Sequence, residues 1–207
     1  MSQDVGPASR GSAADDRPDT YWIERPEQVE ALTSMRRHDI ADRLAASGPL
    51  SIKELADQIG VQPSALYHHI KIMLDVGLVI EAGSRIVRRK REQLYAAPGK
   101  RMRLIRALAS GENQERMDEV VGAMTRQMDR DFRLGGQSPS RRAEGEGRNY
   151  GFFRLLGRPG PEQLARINAC LSEIAEILWE SEDPDAELLC LGWVLTPLPA
   201  PRRKAQG

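Results

Sequence analysis

The chain has 207 residues, 40% of them hydrophobic and 29% charged, which excludes a wholly disordered polymer and leaves room for one large domain or two small ones. Thirty basic side chains balance thirty acidic ones, so the net charge is zero and by itself points to no partner. The longest uncharged apolar stretch, Leu188 to Leu195, is too short to cross a bilayer, which excludes an integral membrane protein built on helices.

Residues 1–20 are rich in Gly, Ser, Ala, Asp and Pro without an apolar period and read as a flexible leader. They lack a basic stretch followed by an apolar one, which predicts a cytoplasmic location. From Pro26 the pattern turns helical, with Val29, Leu32, Arg36, Ile40 and Leu44 at turn spacing, until Ser47-Gly48-Pro49 closes the segment. Ser51 and Glu54 form a capping box for a short helix whose inward face is Leu55, Ala56 and Ile59. Gly60 ends that helix where positive φ is required. Pro63 then starts a further helix, expected to run to about Asp75.

Projected at about 100° per residue, this helix sorts its side chains into two faces. Leu66, Ile70, Met73 and Leu74 point one way, and Ser64, Tyr67, His68 and Lys71 lie together on the other. Adjacent His68 and His69 project too far apart to chelate one ion, and no metal site is expected there. His69 falls beside the core, where a ring nitrogen is expected to bond to backbone. Tyr67 either meets a phosphate or thymine methyl through an exposed ring, or packs the ring and exposes only its hydroxyl.

Gly77 breaks the helix. Two β-like runs flanking a basic turn follow, a hairpin by pattern that carries Arg85, Arg88, Arg89, Lys90 and Arg91. A short helix ending in Gly, a tight turn and a second helix with one polar face make a helix-turn-helix, whose second helix fits a major groove about 12 Å wide. The basic hairpin extends it to a winged helix, with arginines placed to reach the flanking phosphates. The predicted DNA contacts are Gln62, Ser64, Tyr67, His68, Lys71, Arg85, Arg88, Arg89, Lys90 and Arg91.

Beyond Pro98 the pattern predicts helix again, with Met102, Ile105 and Leu108, then Met117, Val120, Val121, Met124, Met128 and Phe132 along one stripe. The methionines could line a ligand pocket, though core or dimer packing is the simpler expectation. Gly135–Gly147 is a polar linker. Tyr150, Phe152, Phe153, Leu155 and Leu156 form an apolar patch; these aromatics, with Trp179 and Trp193, could likewise line a ligand pocket, with core packing the simpler expectation. Pro161 launches the last helix, where Leu164, Ile167, Leu171, Ile174 and Leu178 alternate spacings of three and four, a seam suited to homodimerisation. The run LLCLGWVLTP reads as a buried strand, and 197–207 as a loose basic tail.

The zero net charge hides a segregation. Between Gly83 and Arg106 nine basic residues face Glu92 alone, whereas from Glu162 to Glu187 eight acidic residues face Arg166 alone. Cys170 and Cys190 sit in apolar runs without CxxC or Cys/His spacing, which predicts buried thiols, no disulfide framework and no structural zinc. Catalysis has no support: the three histidines, His38, His68 and His69, are far in sequence from both cysteines, and no Gly-rich phosphate loop occurs.

The stretch GPLSIKELADQIGVQPSALYHHIKIMLDVGLVIEAG resembles the winged helix-turn-helix domain of ArsR-type bacterial transcriptional regulators, in particular the branch that does not sense metals. The resemblance runs from about Tyr21 to Arg106, from MRRHDIADRLAASG in the first helix to QLYAAPG after the wing. DRDFRLGGQ, GRNYGFFR and WVLTPLP are similar to the second half of longer regulators in that group. Metal-sensing members carry a Cys motif before the recognition helix or Asp/His ligands in a C-terminal helix; here ELADQIG has no Cys and the last helix no His. The resemblance implies a homodimeric repressor on a pseudo-palindromic operator in double-stranded DNA, with no cofactor and a possible small-molecule effector of unknown identity. The expected fold is mainly α with a small β-hairpin wing (α+β). Its parts are a leader (1–20), a winged domain (21–98), a helical C-terminal region for dimerisation or effector binding (99–196) and a tail (197–207). The alternative reading is a winged-helix protein-interaction module that does not bind DNA.

Overall fold

The computed structural model describes residues 17, 19–104, 106–107, 114–183 and 185–198. Among these, the chain forms β1 (Thr20–Trp22), α1 (Pro26–Leu32), α2 (Met35–Ser47), β2 (Leu50–Ser51), α3 (Ile52–Ile59), a 3-10 turn (Pro63–Ala65) and α4 (Tyr67–Asp75). After them come β3 (Ile80–Val87), β4 (Lys90–Ala96), β5 (Arg101–Arg103), α5 (Gln114–Gly135) and α6 (Pro161–Glu180). The class is α+β, mainly helical with a small antiparallel sheet in the order β2-β4-β3. A separate parallel pair joins β1 to β5, Thr20 opposite Arg101 and Trp22 opposite Arg103.

The backbone divides into two units. One comprises the residues up to Gln127 with Arg154–Glu182, and the other Met128–Phe153 with the residues from Asp183 onward. The first unit holds the main core, in which Val29, Leu32, Ile40, Leu44, Leu55, Leu66, Ile70, Met73, Leu78 and Val79 are buried. The α3 amide ends are satisfied as its sequence dictates. Ser51 Oγ accepts from the Glu54 amide, Glu54 Oε2 accepts from the Ser51 amide at 2.9 Å, and Gly60 closes the helix at φ 75°. Leu55 and Ala56 are fully buried against α2, and Ala56 leaves room for the helices to cross closely.

Several expectations need correction. The helical pattern from Pro26 to Ser47 is two helices, parted at Thr33–Ser34, where Thr33 Oγ1 turns back to the Glu30 carbonyl. The helix expected from Pro63 starts as a 3-10 turn. Leu66 donates to the Pro63 carbonyl, and the first α-type bond, Ile70 to Leu66, follows it. Met102 lies in β5 rather than in a helix because its neighbours pair with β1, while Ile105 and Leu108 fall outside the described residues.

The run Leu188–Leu195 belongs to no strand and its large side chains are exposed. Phe152, Phe153, Leu155 and Leu156 are exposed as well, and so is Trp193. Both thiols, Cys170 and Cys190, are exposed rather than buried. One physical cause underlies these differences: an apolar run signals a need for cover without placing that cover in its own chain. Tyr150 does find a neighbour, stacking on Phe132 at 4.4 Å between centroids with Phe152 edge-on to the same ring.

The tail of α6 packs in the first unit against the basic segment 100–106. Arg101 is buried, with its guanidinium paired to Asp19 and, at 3.0 Å, to Glu176. Lys100 meets Glu182 at 2.6 Å. Arg103 lies 5.5 Å from the Trp22 ring and 5.3 Å from Trp179, and Arg106 pairs with Glu24 while lying 3.6 Å from the Trp22 ring centroid. Among the described residues no helix is long and apolar enough to cross a membrane.

Candidate nucleic-acid interface

Helix α4 is held from behind by its apolar face and by a polar clamp at its C-terminus. Leu66, Ile70 and Met73 are buried in the core. The carbonyl of Val76, one of the orphan acceptors of the helix end, takes hydrogen bonds from Arg25 and, at 3.1 Å, from Gln28 Nε2. Gln28 is itself buried and donates to Tyr21 Oη at 2.7 Å. Arg25, Gln28 and Tyr21 therefore fix where α4 ends and Gly77, at φ 73°, turns the chain toward the sheet. The apolar periodicity gave no warning of this clamp; a Gln on the inward side of α1, next to Val29, was the available signal.

The opposite side of the segment is open. Gln62, Ser64, Tyr67, His68 and Lys71 are all exposed. Tyr67 presents its ring as well as its hydroxyl, at 61% exposure, so of the two arrangements open to it the exposed-ring one is found. His69 is half-buried as expected, but its Nδ1 has no hydrogen-bond partner, so the expected backbone bond is not made. Burial foremost, then the charges of Arg37, His68 and Arg36, push the His69 pKa down. His68 lies 5.9 Å away, ring to ring. Among the described residues no group of three His, Cys, Asp or Glu side chains is placed to hold a metal ion.

The wing is a two-residue hairpin, with Val87 opposite Lys90 and Arg88-Arg89 at the tip. Both tip residues have positive φ, 49° and 66°, the geometry of the turn that matches strand twist and that Asn-Gly ordinarily supplies. Each arginine is held in a region that β-carbon sterics disfavour by about 1 kcal/mol. Arg88, Arg89 and Lys90 are exposed, and among the described residues no acid pairs with them.

The flanking arginines differ. Arg91 donates to Ser84 Oγ at 2.9 Å across the ladder. Arg85 lies 2.7 Å from Glu54 Oε1 and 3.2 Å from Glu92 Oε2, and Glu54 is the residue that caps α3. One carboxylate thus ties the root of the wing to the first helix of the helix-turn-helix. The Arg85 guanidinium, ahead of the Ser51 hydrogen bonds, holds the Glu54 carboxyl below its ordinary range against the opposing effect of burial. Glu54 is legible from the sequence as a cap and only from the fold as a wing anchor.

The α6 stripe is incompletely covered. Leu164, Ile167 and Ile174 are exposed, whereas Leu171 and Leu178 are half-buried.

A protein-family model described as a helix-turn-helix domain matches residues 32–81, which run from the end of α1 through α4 to the start of β3. No curated protein matches the chain. Among solved structures the chain is similar to Lactococcus lactis ZitR, in a C30AH42A mutant without ligand. The likeness has 14% identity over 72% of this chain and 84% of that one, with a TM-score of 0.25, too loose to carry an argument. The chain therefore carries a helix-turn-helix domain completed by a wing, an architecture used by DNA-binding regulators.

Proposed function

We propose that this protein is a sequence-specific DNA-binding transcriptional regulator that acts as a homodimer on a pseudo-palindromic operator and represses by occupying it. The observation that carries the reading is the pairing of an exposed polar ridge on the second helix of a helix-turn-helix with a hairpin tip of three cations that no acid pairs among the described residues. Gln62, Ser64, Tyr67, His68 and Lys71 read or position on the major groove, and Arg88, Arg89, Lys90 and Arg91 contact flanking phosphate. Arg85, engaged by two glutamates, contributes mainly by holding the wing in place. The two-fold interface forms through Leu164, Ile167, Leu171, Ile174 and Leu178, and an ArsR-like relationship without metal sensing fits the absence of Cys from ELADQIG and of His from α6. Any effector is a small molecule whose chemistry the site does not specify.

Selection of bound duplexes from a random pool tests the proposal. A two-fold related motif with half-sites about one DNA turn apart is expected. Failure to retard any duplex at physiological salt would leave the domain as a protein-interaction module. Within a selected site, Ser64→Ala or Lys71→Ala should weaken operator binding more than random-duplex binding.

A further inference from the structure

Helix α6 carries an apolar stripe that its own unit leaves open. Residues 161–170 are exposed throughout, and Leu164, Ile167 and Ile174 remain 38% to 40% exposed. The helix is anchored from another side. Glu176 meets Arg101 at 3.0 Å and Arg17 at 2.8 Å, and the Trp179 ring lies 5.3 Å from the Arg103 guanidinium. At about 100° per residue, Glu176 and Trp179 project roughly a third of a turn or more away from Ile167 and Ile174.

The order of residue types along the stripe selects what covers it. Leu164, Ile167, Leu171 and Ile174 are spaced three, four and three, a run of intervals that reads the same from either end. In heptad terms leucine holds the a positions and isoleucine the d positions, the arrangement that disfavours a parallel two-stranded coil. Laid antiparallel, the stripe matches itself. Leu164 of one copy falls level with Ile174 of the other, and Ile167 with Leu171, so every layer joins one leucine to one isoleucine. Leu178 falls level with Gly160, which has no side chain to oppose it. The flanking positions Gln163, Asn168, Cys170, Ala175 and Ile177 carry no charge, so no like charges meet along the seam.

We propose that a second copy of the chain lays its α6 antiparallel on this stripe, about a two-fold axis beside Ala169. The inference rests on the homodimer of the proposed function and adds its orientation and register, which DNA binding does not determine. The seam is short, in the class of interfaces that form and part with concentration.

Sedimentation of the full chain over a dilution series tests it. Leu164→Glu or Ile174→Lys alone sets a charge against an apolar side chain twice in each dimer and should raise the dissociation constant about 30-fold or more. Combined in one chain, the two substitutions set Glu against Lys in both outer layers and should recover about tenfold or more of that loss. The exchanged pair, Leu164→Lys with Ile174→Glu, should recover as well, which separates pairing across the seam from an effect of either charge on its own helix. A double variant that dimerises no better than the single ones overturns the proposal, since a parallel seam would set Glu against Glu and Lys against Lys. So do a parent that forms tetramers, single variants that leave the dimer intact, and a chain that stays monomeric at every concentration. Retardation of a selected duplex is scored separately. Operator binding without recovery keeps the regulator and loses this seam, whereas recovery in a chain that retards no duplex does the reverse.

Discussion

Two groups of cations lie within 25 residues of each other along the chain, and the fold treats them oppositely. The group at 100–106 is consumed inside the first unit, where Arg101 is buried among carboxylates and Arg103 and Arg106 lie against Trp22. The group at 88–90 stands at a hairpin tip where, among the described residues, no acid pairs with it, in backbone that costs energy to hold. Counted along the sequence both belong to one basic block facing one acidic block. In space, Glu176, Glu180 and Glu182 of the acidic block neutralise Arg101 and Lys100 of the basic one, while the tip stays exposed. Charge that a protein leaves unpaired on a strained turn is a better indicator of a polyanion site than charge density alone.

The sharpest way to break this contrast is to remove one charge from each group. Arg101→Met should lower stability by roughly 3 kcal/mol, at the low end for a broken buried pair because the partner carboxylates remain partly hydrated. It should leave the salt dependence of DNA binding intact, with chemical denaturation and a mobility-shift series reading the two effects. R88N combined with R89G should do the reverse. It relieves the positive-φ strain and raises stability by up to about 1 kcal/mol. It also removes four phosphate contacts per dimer and weakens all duplexes about 30-fold or more near physiological salt. A loss confined to the operator would show that the tip reads bases instead.

Smaller effects sharpen the picture of how the ridge is held. Gln28→Leu should cost about 1–2 kcal/mol by leaving the Tyr21 hydroxyl and the Val76 carbonyl short of a donor, and should loosen amide protection at the end of α4 in hydrogen exchange. The smallest effect concerns the wing root. Because Arg85 lowers the folded-state pKa of Glu54, that carboxylate contributes stability in full above the ordinary carboxylate range. The contribution is lost as pH falls through the lowered folded value. Partial exposure keeps it to about 0.5 kcal/mol. In an acid titration of stability Glu54→Gln should flatten the parent's slope over that window.

What was legible in the sequence was local. Ser51 and Glu54 three residues apart, Gly60 after Ile59, and the polar spacing of Tyr67, His68 and Lys71 are set by hydrogen bonds and periodicity within a few residues, and the fold places each of them as read, with Ser64 exposed on the 3-10 turn that precedes the helix. What was illegible was remote. Nothing near Arg101 announces Glu176 or Glu180, and the second role of Glu54 depends on a strand that arrives thirty residues later. The run Leu188–Leu195 failed for another reason. Its composition signals a need for cover but does not say whether the cover comes from the same chain.

In the proposed function an exposed ridge and a cationic hairpin tip together grip duplex DNA. The slope of log affinity against log salt on a selected duplex tests it most directly. With about four phosphates neutralised per subunit, the parent should show a slope near −7, and R88N/R89G should reduce its magnitude by roughly 3 to 4. A parent slope near zero, or a slope the double variant leaves unchanged, would contradict the account.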